Sequence, residues 1–295
     1  MRIVSLLPST TEILFAIGAG DDVVGVTFEC DFPPEARARR VVSNTTLPAG
    51  LSPAEIDATV KQRLADGEDL YSLDAGALRD LDADVVVTQD LCAVCAVDVT
   101  EVDDALAYLG CRAEVVTVDP MTLDEVLTSI LDLGKVAGRV EPAEALVASL
   151  RARLDAVAVA TAGRRKPRVA VLEWTDPLFS AGHWVPDLVT AAGAINALGT
   201  AGARSEQIAA ADVARAAPDI VVIAPCGYRL DGAAQLATTL HATGELPRAA
   251  QVWAVDADAF FVRPGPRVVE GVETLAALAY PGCVEMPEGA ALRVG

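Results

Sequence analysis

Cys30, Cys92, Cys95 and Cys226 all lie just beyond the end of a stretch that reads as a β-strand, and Cys92-Ala93-Val94-Cys95 is a Cys-x-x-Cys pair. Loops at the carboxyl ends of parallel strands are where α/β sheets present ligand-binding groups. Thiolates drawn from several such loops make a tetrahedral sulfur site for zinc, or a softer site for copper or iron, and a Cys-x-x-Cys in a reducing compartment also works as a redox pair. Cys92 and Cys95, with Cys30 and Cys226, are therefore the candidate metal ligands. The competing role for free cysteine is that of a small buried hydrophobe, which suits Cys111 and Cys283.

Histidine is scarce: His183 and His241 complete the set. His183, in Ala181-Gly182-His183-Trp184, approaches a helix start and is a candidate to ligate a metal or cap a macrocycle. His241 sits at a polar helix end and reads as solvated. Six Phe, four Tyr and three Trp are present, and Phe28, Phe32, Trp174, Phe179, Trp184, Tyr228, Phe260 and Phe261 fall in or beside the same loops. In a chain whose helices are filled with Ala, Val and Leu, that placement supplies walls for a flat apolar ligand; ordinary core packing is the alternative. The candidate ligand-binding set is Phe28, Glu29, Trp174, Phe179, His183, Trp184, Tyr228 and Phe261.

Catalysis is the weaker reading. Glu29, Asp31, Glu173 and Asp176 are carboxylates near these loops, but nothing fixes their spacing, and acids at helix starts serve as caps. The sequence holds no phosphate-cradling glycine loop and no hydrolase signature. A binding protein is expected, with no catalytic residue assigned.

The elements that must position these residues alternate between short apolar strands and helices. Ile3–Leu7, Val23–Thr27, Val85–Thr88 and Ala113–Val118 read as strands of a first lobe. Arg168–Leu172, Ile220–Ala224 and Val252–Val255 read as strands of a second, the last taken as its final strand. All-apolar strands separated by helices predict largely parallel sheets covered on both faces. Pro8-Ser9-Thr10-Thr11-Glu12 reads as a turn with a capping box ahead of a helix at Ile13–Ile17, and Val99–Leu109 as another helix. Ala83–Cys92 and Pro218–Cys226 match as internal copies: an acid, four apolar residues, a polar turn and a cysteine.

Between the halves, Thr122 and Glu125 form a capping box for one helix, and Pro142 opens a second that runs to about Thr161. At 1.5 Å per residue the second is roughly 30 Å long, enough to join two lobes. The expected organisation is an N-terminal α/β lobe over residues 1–121, linker helices over 122–161, a C-terminal α/β lobe over 162–284 and a tail over 285–295. The cleft between the lobes is the expected place for the ligand.

The chain has 295 residues, 52% of them hydrophobic and 22% charged, which excludes disorder. A net charge of −19 repels phosphate backbones, so nucleic acid is not an expected partner. The Met1-Arg2 start runs directly into a strand, without the basic segment, apolar core and cleavage site of an export signal, so a cytoplasmic protein is expected.

Ser9-Thr10-Thr11-Glu12 with Ile17-Gly18-Ala19-Gly20-Asp21 and Val24-Gly25-Val26, then Leu133-Gly134-Lys135-Val136-Ala137-Gly138-Arg139 and Arg263-Pro264-Gly265-Pro266-Arg267, resemble the cobalamin and ferric-siderophore binding proteins of ABC importers. The likeness runs from about Ile3 to Tyr280. It implies two α/β lobes joined by one rigid helix, little closure on binding, an ABC permease as partner, and a metal chelate as ligand: a corrinoid first, or haem or another iron chelate. The alternative is a cytosolic metal-handling or thiol-redox protein that uses the Cys-x-x-Cys pair to hold zinc, copper or iron.

Overall fold

A computed structural model describes the chain apart from residues 67, 79–80, 90–101 and 103–112. The protein is α/β: two sheets, each mainly parallel and flanked by helices, belong to two compact units. One unit comprises residues 1–119 and 127–147; the other comprises 120–126 and 148–295.

The sheet of the first unit contains β1 (Ile3–Ser5), β2 (Val23–Thr27), β3 (Arg40–Thr45), β4 (Tyr71–Leu73), β5 (Val85–Thr88) and β6 (Glu114–Thr117), in the order β4-β3-β2-β1-β5-β6. All neighbours run parallel except β4, which lies antiparallel on the edge against β3. Every residue of β1 and β5 is buried, as a central strand covered on both faces requires. Val4, Leu6, Val42, Val86 and Leu81 pack into one apolar cluster with Val102.

The first helix, α1, spans Pro8–Ala16, with Pro8 in its opening turn and no side-chain cap. It starts several residues before the expected position because proline's fixed φ suits a first helical turn. Ser9, Thr10, Thr11 and Glu12 are thus helical and buried rather than a solvated turn. Helices α2 (Pro53–Asp66) and α3 (Ala75–Leu78) follow in this unit. The expected helix over 99–109 lies outside the described residues, Val102 excepted.

The linking stretch carries α4 (Leu123–Val136) and α5 (Val140–Thr161). The capping box at the start of α4 is present in both directions: Glu125 N–H donates to Thr122 Oγ1 at 3.2 Å, and Thr122 N–H donates to Glu125 Oε2 at 3.2 Å. Asp187 adds a cap from elsewhere in the chain, its Oδ2 accepting from Leu123 N–H at 3.1 Å. Residues 140–147 of α5 group with the first unit and 148–161 with the second, so one unbroken helix passes from one to the other.

The second sheet is built on β7 (Arg168–Thr175). Its remaining strands are β8 (Leu178–Ser180), β9 (Ile195–Asn196), β10 (Glu206–Gln207), β11 (Ile220–Ile223), β12 (Gln251–Val255) and β13 (Ala291–Arg293). The order is β10-β8-β7-β11-β12-β13, with β9 pairing parallel to the start of β7. Parallel β7, β11 and β12 form the centre; β8, β10 and β13 are antiparallel additions. Val255 does not end the last strand: residues 291–293, within the expected tail, pair with β12 and close that edge. The helices of this unit are α6 (Val185–Ala191), α7 (Ala210–Ala216), α8 (Leu230–Thr243), α9 (Ala257–Phe260) and α10 (Val268–Ala279). Leu172, Val221, Ile223, Ala237, Leu240 and Val252 lie in its core.

Candidate functional site

In each sheet the strand order reverses at the central strand, at β1 between β2 and β5 and at β7 between β8 and β11. Loops leaving the carboxyl ends of strands beside such a reversal diverge and leave a crevice, which is where open α/β sheets bind ligands. In the second unit these are the turn after β7, 176–177, and the loop after β11, 224–229; the segment after β12, 256–263, which contains α9, adjoins the latter through the bonds described below.

Trp174 and Phe179 are directly opposed in the antiparallel β7–β8 pair and so project from the same face. The Trp174 indole Nε1–H donates to the Asp176 carbonyl at 3.1 Å, which fixes the ring over the hairpin turn. Tyr228 meets Trp174 edge-on, with centroids 5.9 Å apart and planes inclined at 61°. Partial burial raises the Tyr228 hydroxyl pKa above its ordinary value. Trp174, Phe179 and Tyr228 all keep partial exposure. The structure thus brings three of the candidate aromatics together at one strand end, where a planar apolar group can stack.

His183 has a left-handed backbone, φ 52°. The loop after β9 holds it there with two backbone hydrogen bonds: His183 N–H donates to Ala203 O at 2.6 Å, and Gly202 N–H donates to His183 O at 3.0 Å. Gly182 permits this close approach, since a Cβ at that position would run into the backbone of Ala203, Arg204 and Ser205. The His183 ring lies against Trp184, with centroids 5.7 Å apart, and its Nε2 is buried with no hydrogen-bond partner. Burial, and then the positive charge of Arg204, lower its pKa, so the imidazole is neutral at neutral pH. A buried Nε2 is not presented to a ligand in this conformation. Glu173 ties the same loop back to β7, its Oε2 accepting from Gly182 N–H at 3.3 Å.

Trp184 and Phe261, both expected in the ligand wall, are core residues instead. Trp184 is 6% exposed and Phe261 0%. The Trp184 indole Nε1–H donates to the Phe261 carbonyl at 2.7 Å. A fully buried ring satisfies its packing inside the unit and has no surface left to offer.

In the first unit Phe28 is 38% exposed on the loop after β2 and faces Tyr71 at the start of β4, with centroids 6.1 Å apart. The Tyr71 hydroxyl is 3.5 Å from Glu29 Oε2. Tyr71 escaped the sequence reading because a three-residue edge strand carries no periodic signal. Its one cue is an aromatic residue opening a strand beside a loop already singled out. Phe32 is also exposed.

Cys30, 4% exposed, sits in a chain of hydroxyls below this loop. Its Sγ is 3.1 Å from Thr11 Oγ1, Thr11 Oγ1 donates to Ser5 Oγ at 2.8 Å, and Ser5 Oγ is 2.6 Å from Thr10 Oγ1. The thiol is buried and takes part in this network. Cys226 is exposed at the end of β11, and Cys283 is partly buried. Cys92, Cys95 and Cys111 lie outside the described residues. Among the described residues, no group of three or more His, Cys, Asp and Glu side chains is arranged to hold a metal ion, and no helix is long and apolar enough to cross a membrane.

The chain is similar to an uncharacterized ABC transporter substrate-binding lipoprotein, YvrC, of Bacillus subtilis, with 25% identity over 95% of this chain and 80% of the relative. It is similar in fold to a periplasmic haem-binding protein of Pseudomonas aeruginosa, with a TM-score of 0.71, 20% identity, and coverage of 99% of this chain and 97% of the other. It is also similar in fold to the periplasmic vitamin B12-binding protein BtuF of Vibrio cholerae, with a TM-score of 0.64, 23% identity, and coverage of 94% and 95%. These relatives are lipoprotein or periplasmic proteins, and they overturn the cytoplasmic placement expected from the sequence. The reducing surroundings invoked for the Cys-x-x-Cys pair fall with it. A family model described as periplasmic binding protein matches residues 3–251, most of the chain, and the protein belongs to that family.

Proposed function

We propose that this protein is the extracytoplasmic substrate-binding component of an ABC importer and that its ligand is a metal-bearing macrocycle, a corrinoid first. The observation that carries this is the Trp174, Phe179 and Tyr228 cluster at the carboxyl ends of β7 and β11, where the antiparallel β8 begins. Stacking on aromatic rings suits a wide, flat, partly apolar ligand better than a bare ion.

Two further points support it. Among the described residues no group of three or more His, Cys, Asp and Glu side chains is arranged to hold a free metal ion. The solved relatives include a haem binder and a vitamin B12 binder. On this reading a membrane permease receives the loaded protein. His183 caps the ligand's edge only if its loop moves.

Titration of the purified protein with cyanocobalamin, hemin and a ferric siderophore, followed by tryptophan quenching and calorimetry, tests the proposal. Stoichiometric cyanocobalamin binding is expected. Binding of hemin or the siderophore alone reassigns the ligand, and binding of none refutes the reading.

A further inference from the structure

We propose that Asp258 is the positioning residue that sets Tyr228 against Trp174 and so builds the stacking surface; this rests on the aromatic face being the ligand site. Asp258 grips the loop after β11 at two adjacent points. Its Oδ1 accepts from Gly227 N–H at 3.1 Å, and its own N–H donates to the Tyr228 carbonyl at 3.2 Å. The two bonds hold the peptide groups on either side of the Gly227–Tyr228 link, which fixes the orientation of that stretch of loop as well as its position. Gly227 has φ 81°, a conformation that side-chain-bearing residues avoid. Without an outside hold, a glycine at that position lets the loop swing, and Tyr228 is the next residue.

Asp258 is itself braced. Arg263 Nη2 lies 3.7 Å from its Oδ2, both side chains being mostly buried at 11% and 15% exposure. The backbone beneath it is fixed by Asp256, which caps α9 by accepting from Ala259 N–H at 2.9 Å and pairs with Arg229 at 3.6 Å. Asp256, Asp258 and Arg263 thus convey the rigidity of the strand end of β12 to the loop after β11. The aromatic that loop carries is held in one orientation before any ligand arrives, which reduces the ordering cost of binding.

The test compares D258A, D258N, Y228A and the double variant D258A/Y228A in affinity for cyanocobalamin or hemin, whichever the wild type binds. It adds a ligand-free readout, the ultraviolet titration of Tyr228, isolated by difference from Y228F. D258A is expected to weaken binding about tenfold. D258N, whose amide oxygen still accepts from Gly227 N–H, should recover most of that loss. In the Y228A background D258A should have no further effect. In the ligand-free titration D258A should let Tyr228 ionise at lower pH, toward its ordinary value, as the ring leaves its packed position.

Unchanged affinity and unchanged Tyr228 titration in D258A overturn the proposal, as do losses that multiply in the double variant. If the wild type binds neither probe, the ligand assignment fails, and the tyrosine titration alone decides the positioning role. Should D258A not fold, D258E, which keeps the charge and displaces the carboxylate by one methylene, carries the same comparison.

Discussion

Asp219 and Arg168 hold each other by two hydrogen bonds: the Arg168 N–H donates to Asp219 Oδ2 at 2.7 Å, and the Asp219 N–H donates to the Arg168 carbonyl at 2.8 Å. Asp84 and Arg2 repeat the arrangement in the other unit, at 2.7 and 2.8 Å. Each acid precedes a fully buried four-residue strand and pins it to the first residues of the central strand. The internal copy read from Ala83–Cys92 and Pro218–Cys226 is therefore a shared device for setting strand register.

The backbone hydrogen bond from Arg168 is the main reason the Asp219 carboxyl ionises below its ordinary range, with Arg165 contributing less. Because the folded pKa is depressed, its contribution is complete above the unfolded value of about 3.9 and is lost as pH falls through the folded value. Asp219→Ala should destabilise by about 1–2 kcal/mol at pH 7, discounted for an acid one-third exposed, with the difference from wild type shrinking below pH 4. Urea unfolding at pH 7 and pH 3 measures it; an equal deficit at both would contradict the assignment.

Wall and core tryptophans should separate cleanly. Trp174→Ala and Tyr228→Ala are expected to weaken ligand binding about 30-fold or more while leaving Tm within a few degrees of wild type. Trp184→Ala should instead cost about 3–5 kcal/mol of stability, the usual toll for emptying a packed aromatic site. Thermal unfolding beside cyanocobalamin titration of the three variants reads both effects.

His183 predicts a pH dependence of stability with a definite sign. Burial and Arg204 lower its folded pKa below the unfolded value of about 6.5. The unfolded chain therefore takes up the proton first as pH falls. The neutral ring's contribution is present above pH 6.5 and declines as pH drops through the folded pKa. His183→Gln should flatten the stability profile between pH 7 and pH 5, as followed by denaturant midpoints; an unchanged slope would place the dependence elsewhere.

Gly182→Ala tests the fastening of the 197–205 loop. The added methyl would meet backbone rather than a yielding side chain, so the two hydrogen bonds to His183 should break, with a loss of about 1–3 kcal/mol and faster exchange of the His183 and Gly202 amides.

Sequence alone showed the α/β class and the central strands, because Val85–Thr88 and Ile220–Ile223 are continuous apolar runs whose length admits a strand and little else. The α4 start was equally plain, since Thr122 and Glu125 carry their own hydrogen-bonding instruction. The antiparallel additions β4, β8, β10 and β13 were not legible: two or three residues hold no period, and they are strands only because a neighbour offers its edge. At the site, Trp174 and Trp184 looked alike, both loop aromatics, one after a strand and the other before a helix start. What separates them is a partner 77 residues on, the Phe261 carbonyl that accepts the Trp184 indole N–H, and such a long-range bond leaves no local mark. Tyr71 was missed because it opens β4, one of those short edge strands.

Antiparallel pairing of β13 with β12 has a practical corollary for handling the molecule. On the outer side of β12, Val252 N–H donates to Gly295 O, Val252 O accepts from Val294 N–H, and Asp256 N–H donates to Ala290 O. Shortening the chain to remove that segment would leave a hydrophobic strand with a free row of backbone donors and acceptors, the kind of border along which chains stack. A purification handle is better appended after Gly295 through a spacer than substituted for the last few residues. A truncation ending near Gly289 should elute as soluble aggregate on size exclusion although every loop of the candidate site is retained.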